Sequence, residues 1–414
     1  MEIQRDILPE LRRHLEQKEI SLVIGPRQAG KTTILRTLLK QLQEEGHICL
    51  YFNLDIDTDA QYFTSQHRFL ERVDVQAGRK RAFVFIDEVQ RIENAGLFLK
   101  GLYDRELPYK FIATGSGSLE LKEKIAESLV GRKQNFYLYT VSINEFIRYR
   151  TKGQARERLS DWLATDPILE NQLLLEYLTF GGYPRVVTAT TAVEKNAILS
   201  EIFQGYIERD IKLLLQLEKS RAFVTLLQIL ANRAGKMANI NELAKLSELS
   251  VPTVKNYLWY SEKTFITTAV TPFFRNREKE IVKSPQYYFL DSGLRNFLIG
   301  LNQLDRSTED MGFLFQQMVF RLLQDHFRDS VASIHFWRTQ TQAEVDFVVN
   351  RGRDLLPVEV KSSLMDQPKV GRSLHSFLQK YQPAEAWVIN RQLDTALQVG
   401  NTKVYFRPWR RLLE

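Results

Sequence analysis

The chain has 414 residues, of which 44% are hydrophobic and 26% are charged. This composition is that of a folded globular protein and excludes a disordered or fibrous chain, and the length predicts two or three domains. Lysine and arginine number 57 against 50 aspartates and glutamates, which gives a formal charge of +7. That charge permits a nucleic acid as partner without requiring one.

The location of the protein is constrained by what the sequence lacks. Its single cysteine, Cys49, excludes a disulfide within the chain and fits a reducing compartment. The first fifteen residues mix basic and acidic side chains and lack the apolar core of a signal peptide. No apolar run approaches the ~20 residues that a membrane span needs. We therefore expect a soluble, cytoplasmic protein that does not enter the membrane.

The first part of the chain alternates short apolar strands with helices. A helix is predicted over Lys31–Glu45 from its helical spacing of leucine and isoleucine. The predicted strands are Ser21–Ile24, Ile48–Asn53, Phe83–Ile86, Phe111–Ala113 and Phe136–Tyr139. This alternation predicts an α/β domain with a parallel sheet that is covered on both faces.

The rest of the chain predicts a helical region, a small mixed region and a second α/β region. The helical pattern of residues 161–234 is broken at Gly181-Gly182-Tyr183-Pro184. Short helices over 236–266 precede a predicted β-hairpin around Thr267–Tyr288, and from Met311 the order is helix, three strands, helix, strand. We place the domains at 1–160, 161–235, 236–305 and 306–414.

The segment after the first strand fits the phosphate-binding pattern G-x-x-x-x-G-K-[ST], between a strand and a helix. Backbone N–H groups of such a loop face the phosphates, and the helix N-terminus adds its dipole. Lys31 should reach the β- and γ-phosphates of ATP, and the Thr32 hydroxyl should ligate Mg²⁺. The predicted nucleotide-binding residues are Gly25, Pro26, Arg27, Gln28, Ala29, Gly30, Lys31, Thr32 and Thr33, of which Thr33 has no role beyond packing or capping.

Two acids follow the apolar strand Phe83–Ile86. Asp87 is predicted to hold the Mg²⁺ shell and Glu88 to polarise the attacking water, although such a pair is also common at a solvated strand end. A hydroxyl after the next strand is a candidate sensor of the γ-phosphate. We favour Ser116 over Thr114 for that role, while either fits a turn residue.

These motifs together resemble the AAA+ superfamily, and within it the prokaryotic ATPases of the AAA_14/DUF4143 type. Further matching segments are Leu129-Val130-Gly131-Arg132, Gly181-Gly182-Tyr183-Pro184, Glu208-Arg209-Asp210 and Tyr288-Phe289-Leu290-Asp291-Ser292-Gly293. The resemblance implies a homo-oligomer, with a hexamer as one arrangement. In it Arg132 would reach the next subunit's γ-phosphate, with Arg105 as the alternative. A surface charge is the other interpretation of either arginine.

A helix-turn-helix pattern occupies the third region. Residues 240–250 predict a helix and a turn, and Val251–Leu258 a second helix that carries Lys255. The hairpin behind it places Arg275, Arg277 and Lys279 at its tip, as a wing that contacts DNA phosphates. A winged helix that packs against its own chain or binds a protein is the alternative.

The last region resembles the PD-(D/E)xK nuclease fold. Asp346, Glu359 and Lys361 match its D…ExK motif, in which two carboxylates hold Mg²⁺ and the lysine orients water. Ordinary strand-end acids are the alternative. The family offers a glutamate on the preceding helix where this chain has Gln316, and a neutral amide weakens a metal site.

The sequence therefore predicts an oligomeric AAA+ ATPase that couples ATP hydrolysis to DNA binding or remodelling, including branched DNA such as Holliday junctions. In this hypothesis the nuclease-like domain grips DNA and is weakly active or inactive. Two alternatives remain open at this point: an ATP-dependent switch that acts on a protein partner, and an ATP-coupled DNA nuclease.

Overall fold

The computed structural model describes residues 2–116, 129–153, 158–212, 220–274, 284–301, 309–352 and 354–413. Its first domain contains α1 (Ile7–Arg13), β1 (Ile20–Gly25), α2 (Lys31–Glu44), β2 (Ile48–Asn53), α3 (Asp57–Ala60), α4 (Gln66–Ala77), β3 (Ala82–Asp87), α5 (Ala95–Tyr103), β4 (Tyr109–Ser116) and β5 (Lys133–Tyr137). The five strands pair in the order β2-β3-β4-β1-β5, and every pair is parallel.

Both faces of this sheet are covered by apolar side chains. Because successive residues of a strand point to opposite faces, Leu22 and Ile24 enter the core beneath α4 and α5, whereas Val23 enters the core beneath α1 and α2. The predicted parallel sheet, doubly covered, is confirmed.

Helices dominate the segment that follows. They are α6 (Ile143–Arg150), α7 (Leu159–Ala164), α8 (Pro167–Phe180), α9 (Pro184–Thr188), α10 (Ala192–Gly205), a π-helical turn (Tyr206–Lys212) and α11 (Ser220–Asn232). Local sequence explains several starts: Ser142 and Glu145 form a capping box at α6, Thr191 and Glu194 form one at α10, and Pro167 occupies the first turn of α8.

The third region contains the predicted pair of helices and the hairpin. They are α12 (Ile240–Ser247), α13 (Val251–Lys263), β6 (Thr267–Val270), β7 (Gln286–Phe289) and a further helix, α14 (Ser292–Leu298). Glu248 turns the chain between α12 and α13 in the left-handed conformation, and the Ser250 hydroxyl caps α13. The predicted wing residues Arg275, Arg277 and Lys279 lie outside the described residues.

The last region has the predicted order of helix, three strands, helix and strand, and then two strands more. Its elements are α15 (Glu309–His326), β8 (Ser333–Arg338), β9 (Glu344–Asn350), β10 (Leu355–Val360), α16 (Arg372–Tyr381), β11 (Glu385–Asn390), β12 (Thr395–Val399) and β13 (Thr402–Pro408). They form a mixed sheet in the order β12-β13-β11-β10-β9-β8. Residues of α6–α8 share one core with this sheet and α15, whereas α10–α14 share another core.

A tight junction joins the first domain to the third region. The Gly182 carbonyl accepts a 2.7 Å hydrogen bond from the Val141 N–H, and the buried Asp291 carboxylate accepts bonds from the N–H groups of Gly182 (2.9 Å) and Leu294 (3.0 Å). A Cβ on Gly293 would lie 2.0 Å from the Phe180 carbonyl oxygen. Because Gly182 and Gly293 have no side chains, the backbone segments that carry them can approach their neighbours this closely.

We expect Gly293→Ala to destabilise the protein by about 1–3 kcal/mol or more, because the added methyl meets a backbone atom that cannot move aside alone. Gly205→Ala is the matched control, since a Cβ on Gly205 has no neighbour within 4 Å. Thermal unfolding of both variants measures the difference. An unchanged melting temperature for Gly293→Ala would contradict the close approach of Gly293 to the Phe180 carbonyl.

Candidate functional site

The loop between β1 and α2 is closed around the ammonium group of Lys31. The side chain is buried, and its Nζ donates to the carbonyl oxygens of Gly25 (3.1 Å) and Pro26 (2.9 Å). Gly30 has φ +95°, a conformation that glycine adopts without strain, and Gln28 also has positive φ. The loop thus has the shape of an anion nest at the N-terminus of α2.

The buried carboxylate of Asp87 accepts hydrogen bonds from three hydroxyl groups. Thr32 Oγ1 and the Tyr51 hydroxyl donate to its Oδ2 at 2.7 Å and 2.8 Å, and the Thr114 hydroxyl donates to its Oδ1. Burial, followed by the bond to Asp87, raises the pKa of Tyr51. The structure therefore brings the predicted pair Thr32 and Asp87 into contact, and it adds Tyr51 and Thr114, which the sequence analysis gave no such role.

Glu88 leaves the strand in the left-handed conformation, with φ 62° and ψ 45°. Its N–H donates to Thr114 Oγ1 (3.0 Å), and its carboxylate accepts a bond from the Gln90 side-chain amide. The amide oxygen of Gln90 accepts from the N–H of Ser116 (3.2 Å), which lies opposite Gly25 in the sheet register. The predicted catalytic residues Glu88, Ser116 and Lys31 therefore lie around one edge of the sheet.

An N-terminal arginine holds the loop in place. The buried Arg5 guanidinium donates to the Ala29 carbonyl (2.8 Å), the Tyr139 carbonyl (2.6 Å) and the Glu145 carboxylate (2.9 Å). The sequence contained no pattern that singled out Arg5, because its partners lie up to 140 residues away. Arg5 thus positions the phosphate-binding loop through its bond to the Ala29 carbonyl.

A cavity of about 740 Å³ adjoins the loop. The N-terminal segment, α2 and α9 line it, with Ile3, Leu8 and Ile34 as apolar walls. Arg185 stands at its rim, where both terminal nitrogens bind Glu201 at 2.8 Å and one lies 3.4 Å from the side-chain oxygen of Gln28. Arg185 is thus a cation beside the loop that the sequence analysis did not select.

Arg132 lies at the opposite edge of the sheet from the loop. It immediately precedes β5, whose first residue, Lys133, pairs with Ile20 at the start of β1. The six residues of β1 separate the two edges by about 20 Å. Arg132 binds Asp104 at 2.6 Å and is one-third exposed. It is not brought to the loop of its own chain.

The C-terminal candidates form a second cluster. Asp346 is half-buried and accepts bonds from the Gln316 side-chain amide (3.0 Å) and the Val360 N–H (2.7 Å), and the loss of solvation there raises its pKa to about 7. Glu359 binds Lys361 at 2.6 Å through one oxygen, and its other oxygen is buried with no hydrogen bond in the described part of the chain. Gln316 therefore occupies the predicted position beside Asp346.

A full metal cage is not formed at this second cluster. Within the residues that the structure describes, no three or more histidine, cysteine, aspartate or glutamate side chains are arranged to hold a metal ion. Glu344, two residues from Asp346, binds Arg338 (3.2 Å) and Gln286 (3.0 Å) instead. Of the predicted DNA contacts, Lys255 is exposed on α13, and the three wing residues are not described.

Comparison with known proteins divides the chain into three parts. Residues 17–147 match the family model described as AAA domain. The first part of the chain is therefore similar to AAA domains. Residues 171–305 and 311–407 match two models described as domains of unknown function, DUF8612 and DUF4143. A match of this kind supports the fold of residues 17–147, and their function has to be argued from the site itself.

Two of the similar sequences belong to uncharacterised proteins. A Mycobacterium tuberculosis protein is 27% identical over 396 residues, which cover 93% of this chain and 79% of that protein. A Methanocaldococcus jannaschii protein is 24% identical over 367 residues, which cover 86% and 77%. The Aeropyrum pernix ORC2 structure in its ADP form covers 73% of this chain and 93% of its own, with 13% identity and a TM-score of 0.36. None of the described helices is long and apolar enough to cross a membrane.

Proposed function

We propose that this protein is a Mg²⁺-dependent ATPase that couples ATP hydrolysis to DNA binding or remodelling. The observation that carries the ATPase assignment is the contact between Thr32 and Asp87 beside the buried ammonium of Lys31. A hydroxyl and a carboxylate oxygen are hard ligands of the kind Mg²⁺ prefers, and they meet at the loop that would hold the phosphates.

Different residues of the site would bind the phosphates and activate the attacking water. Lys31 would exchange the carbonyls of Gly25 and Pro26 for phosphate oxygens, and the N–H groups at the start of α2 would face the same anion. Mg²⁺, when bound, neutralises charge on the phosphates. Glu88 would accept a proton from water once Gln90 releases its carboxylate.

Further groups fit the two ends of the nucleotide. The apolar wall of the neighbouring cavity suits a purine ring, because nucleotide bases bind in mostly apolar pockets with few polar contacts. At the phosphate end, Arg185 is near Gln28 and would add a planar cation, at the cost of its pair with Glu201. Ser116 stays our candidate for a hydroxyl that senses the γ-phosphate.

We predict that Lys31→Ala loses tight ATP binding, whereas Glu88→Gln binds ATP and hydrolyses it roughly 10²- to 10⁴-fold more slowly. The first change removes the cation at the phosphates, and the second removes only the acceptor of the water proton. Fluorescent-nucleotide binding and phosphate release measure the two effects.

Glu93→Gln, at an exposed carboxylate just beyond Glu88, is the matched control and should keep the parent rate. A Glu88→Gln variant with the parent rate would refute the assignment of the base. The same assay with single-stranded, duplex and four-way-junction DNA separates the two leading functions. A DNA-coupled ATPase is stimulated by one of these DNAs, whereas a switch that acts on a protein partner is not.

We propose further that the active assembly is a homo-oligomer in which Arg132 serves the neighbouring subunit. Its place about 20 Å from the loop of its own chain supports an action between subunits. A planar, permanently charged guanidinium can stabilise the transferring phosphoryl oxygens there. Its bond to Asp104 would have to open first.

We predict that Arg132→Ala binds ATP normally and turns it over slowly, and that mixing it with Lys31→Ala partly restores activity, since each subunit keeps what the other lacks. Phosphate release against mixing ratio is the measurement. Arg105→Ala, in the same mixtures, tests the alternative arginine. Absence of rescue at every ratio, with assembly verified by light scattering, would place the complete site in one chain.

For the C-terminal cluster we propose a DNA-gripping role with weak or absent cleavage. Two acids, Asp346 and Glu359, are the fewest with which a metal is usually held, and the third position carries Gln316. A carboxyl whose pKa is about 7 is largely protonated at pH 6 and cannot then ligate a metal. The orphaned oxygen of Glu359 is the observation that keeps an ATP-coupled nuclease as the second candidate.

We predict little or no cleavage of supercoiled, linear or four-way-junction DNA with Mg²⁺ or Mn²⁺, and any residual cleavage should rise from pH 6 to pH 8 as Asp346 ionises. Gel assays beside Asp346→Ala measure it, and Gln316→Glu tests whether a third acid restores cutting. Robust cleavage by the parent that Asp346→Ala abolishes would make this an ATP-coupled nuclease.

A further inference from the structure

One outward face of α13 combines an exposed indole with two lysines. Trp259 is 37% exposed, although large aromatic side chains are usually buried. Lys255 and Lys263 lie one turn before and one turn after it, and four residues of helix span about 6 Å. The buried side of the same helix carries Val254, Tyr257, Leu258 and Ser261, so the helix is already anchored by other residues.

The electrostatics of this face select an anionic partner. The exposed residues of α13 are Pro252, Lys255, Asn256 and Trp259, and none is a carboxylate. The ammonium group of Lys263 lies 5.6 Å from the centre of the Trp259 ring, so a cation and an aromatic ring are close enough to contact the same ligand. Glu262 is the acid next to Lys263 in sequence. Its side chain is partly buried, and its carboxylate accepts a hydrogen bond from the backbone N–H of Ala269.

The aromatic ring distinguishes unpaired DNA from duplex DNA. An indole contributes to nucleic-acid binding by stacking on the flat face of a base, and flanking lysines follow the phosphates. In a duplex the base faces are covered by their neighbours, and only edges reach the grooves. We propose that the face formed by Lys255, Asn256, Trp259 and Lys263 binds an unpaired DNA strand, with a base stacked on Trp259. This inference rests on the proposed coupling to DNA and names its substrate class.

The test uses the full-length chain and three fluorescent probes: a ten-nucleotide thymidine strand, the same strand with abasic sites throughout, and a duplex of equal length. Fluorescence anisotropy gives the affinities. Trp259→Ala should weaken binding of the thymidine strand by about tenfold or more and leave abasic binding unchanged, while Trp259→Phe retains most of the affinity. Lys255→Ala and Lys263→Ala should each lower the slope of log affinity against log salt by about 0.7.

Ile168→Ala, at an exposed apolar residue on α8, is the matched control and should bind like the parent. Equal affinity of the parent and Trp259→Ala for the thymidine strand, or tighter parent binding to the duplex, overturns the inference. Basal ATP hydrolysis without DNA is measured in parallel and should be equal in parent and Trp259→Ala. A parent that binds the strand through Trp259 but hydrolyses no ATP refutes the proposed function and leaves this surface intact.

Discussion

The buried ion pair between Arg5 and Glu145 is the constraint on which the candidate site depends. The three acceptors of the guanidinium belong to the phosphate-binding loop, to the exit of β5 and to the start of α6. Glu145 in turn accepts from the N–H groups of Asp6 and Ser142, so each of its oxygens accepts at least one hydrogen bond. Removing one partner of such a pair leaves an uncompensated buried charge and costs about 3–5 kcal/mol. The shape of the phosphate-binding loop therefore depends on tertiary contacts with distant segments of the chain.

The same region connects the nucleotide site with the C-terminal domain. The ring of Tyr139, whose carbonyl binds Arg5, lies 4.1 Å from the guanidinium of Arg321 on α15. Five residues earlier on that helix, Gln316 binds Asp346. Arg295 and Asp310 add an ion pair of 2.8 Å between α14 and α15. A displacement of Tyr139 therefore requires the contact with Arg321 to break or to move with it.

Local motifs explain which parts of the site could be predicted from sequence. The phosphate-binding loop and Asp87 follow apolar strands directly, and parallel strands bring their carboxyl ends to one edge. Arg5 could not be selected, because nothing near it in sequence marks one arginine among the 57 basic residues. Arg185 follows the segment Gly181-Gly182-Tyr183-Pro184 directly, but its place beside the phosphate-binding loop is set by the fold. Gly25 fits the phosphate-binding motif, yet a Cβ there would lie 1.9 Å from the Leu138 carbonyl oxygen, a restriction that only the folded sheet reveals.

The fold shows the same limit. The parallel sheet was predictable because its central strands are wholly apolar, as β3 is. By contrast β12 and β13 were missed, and four of the five residues of β12 are exposed, which weakens the apolar signal of this edge strand. The core shared by α6–α8 and the last sheet was also beyond sequence reasoning, because it joins segments more than 150 residues apart.

The left-handed backbone at Glu88 has a consequence for how this protein can evolve. Neighbouring residues of a strand point to opposite faces, so two adjacent acids serve one pocket only if the strand breaks between them. The left-handed conformation costs about 1–2 kcal/mol for most side chains and least for glycine and asparagine. Selection for thermal stability alone would thus favour glycine or asparagine at position 88. The glutamate at this position therefore gives up stability that glycine or asparagine would keep.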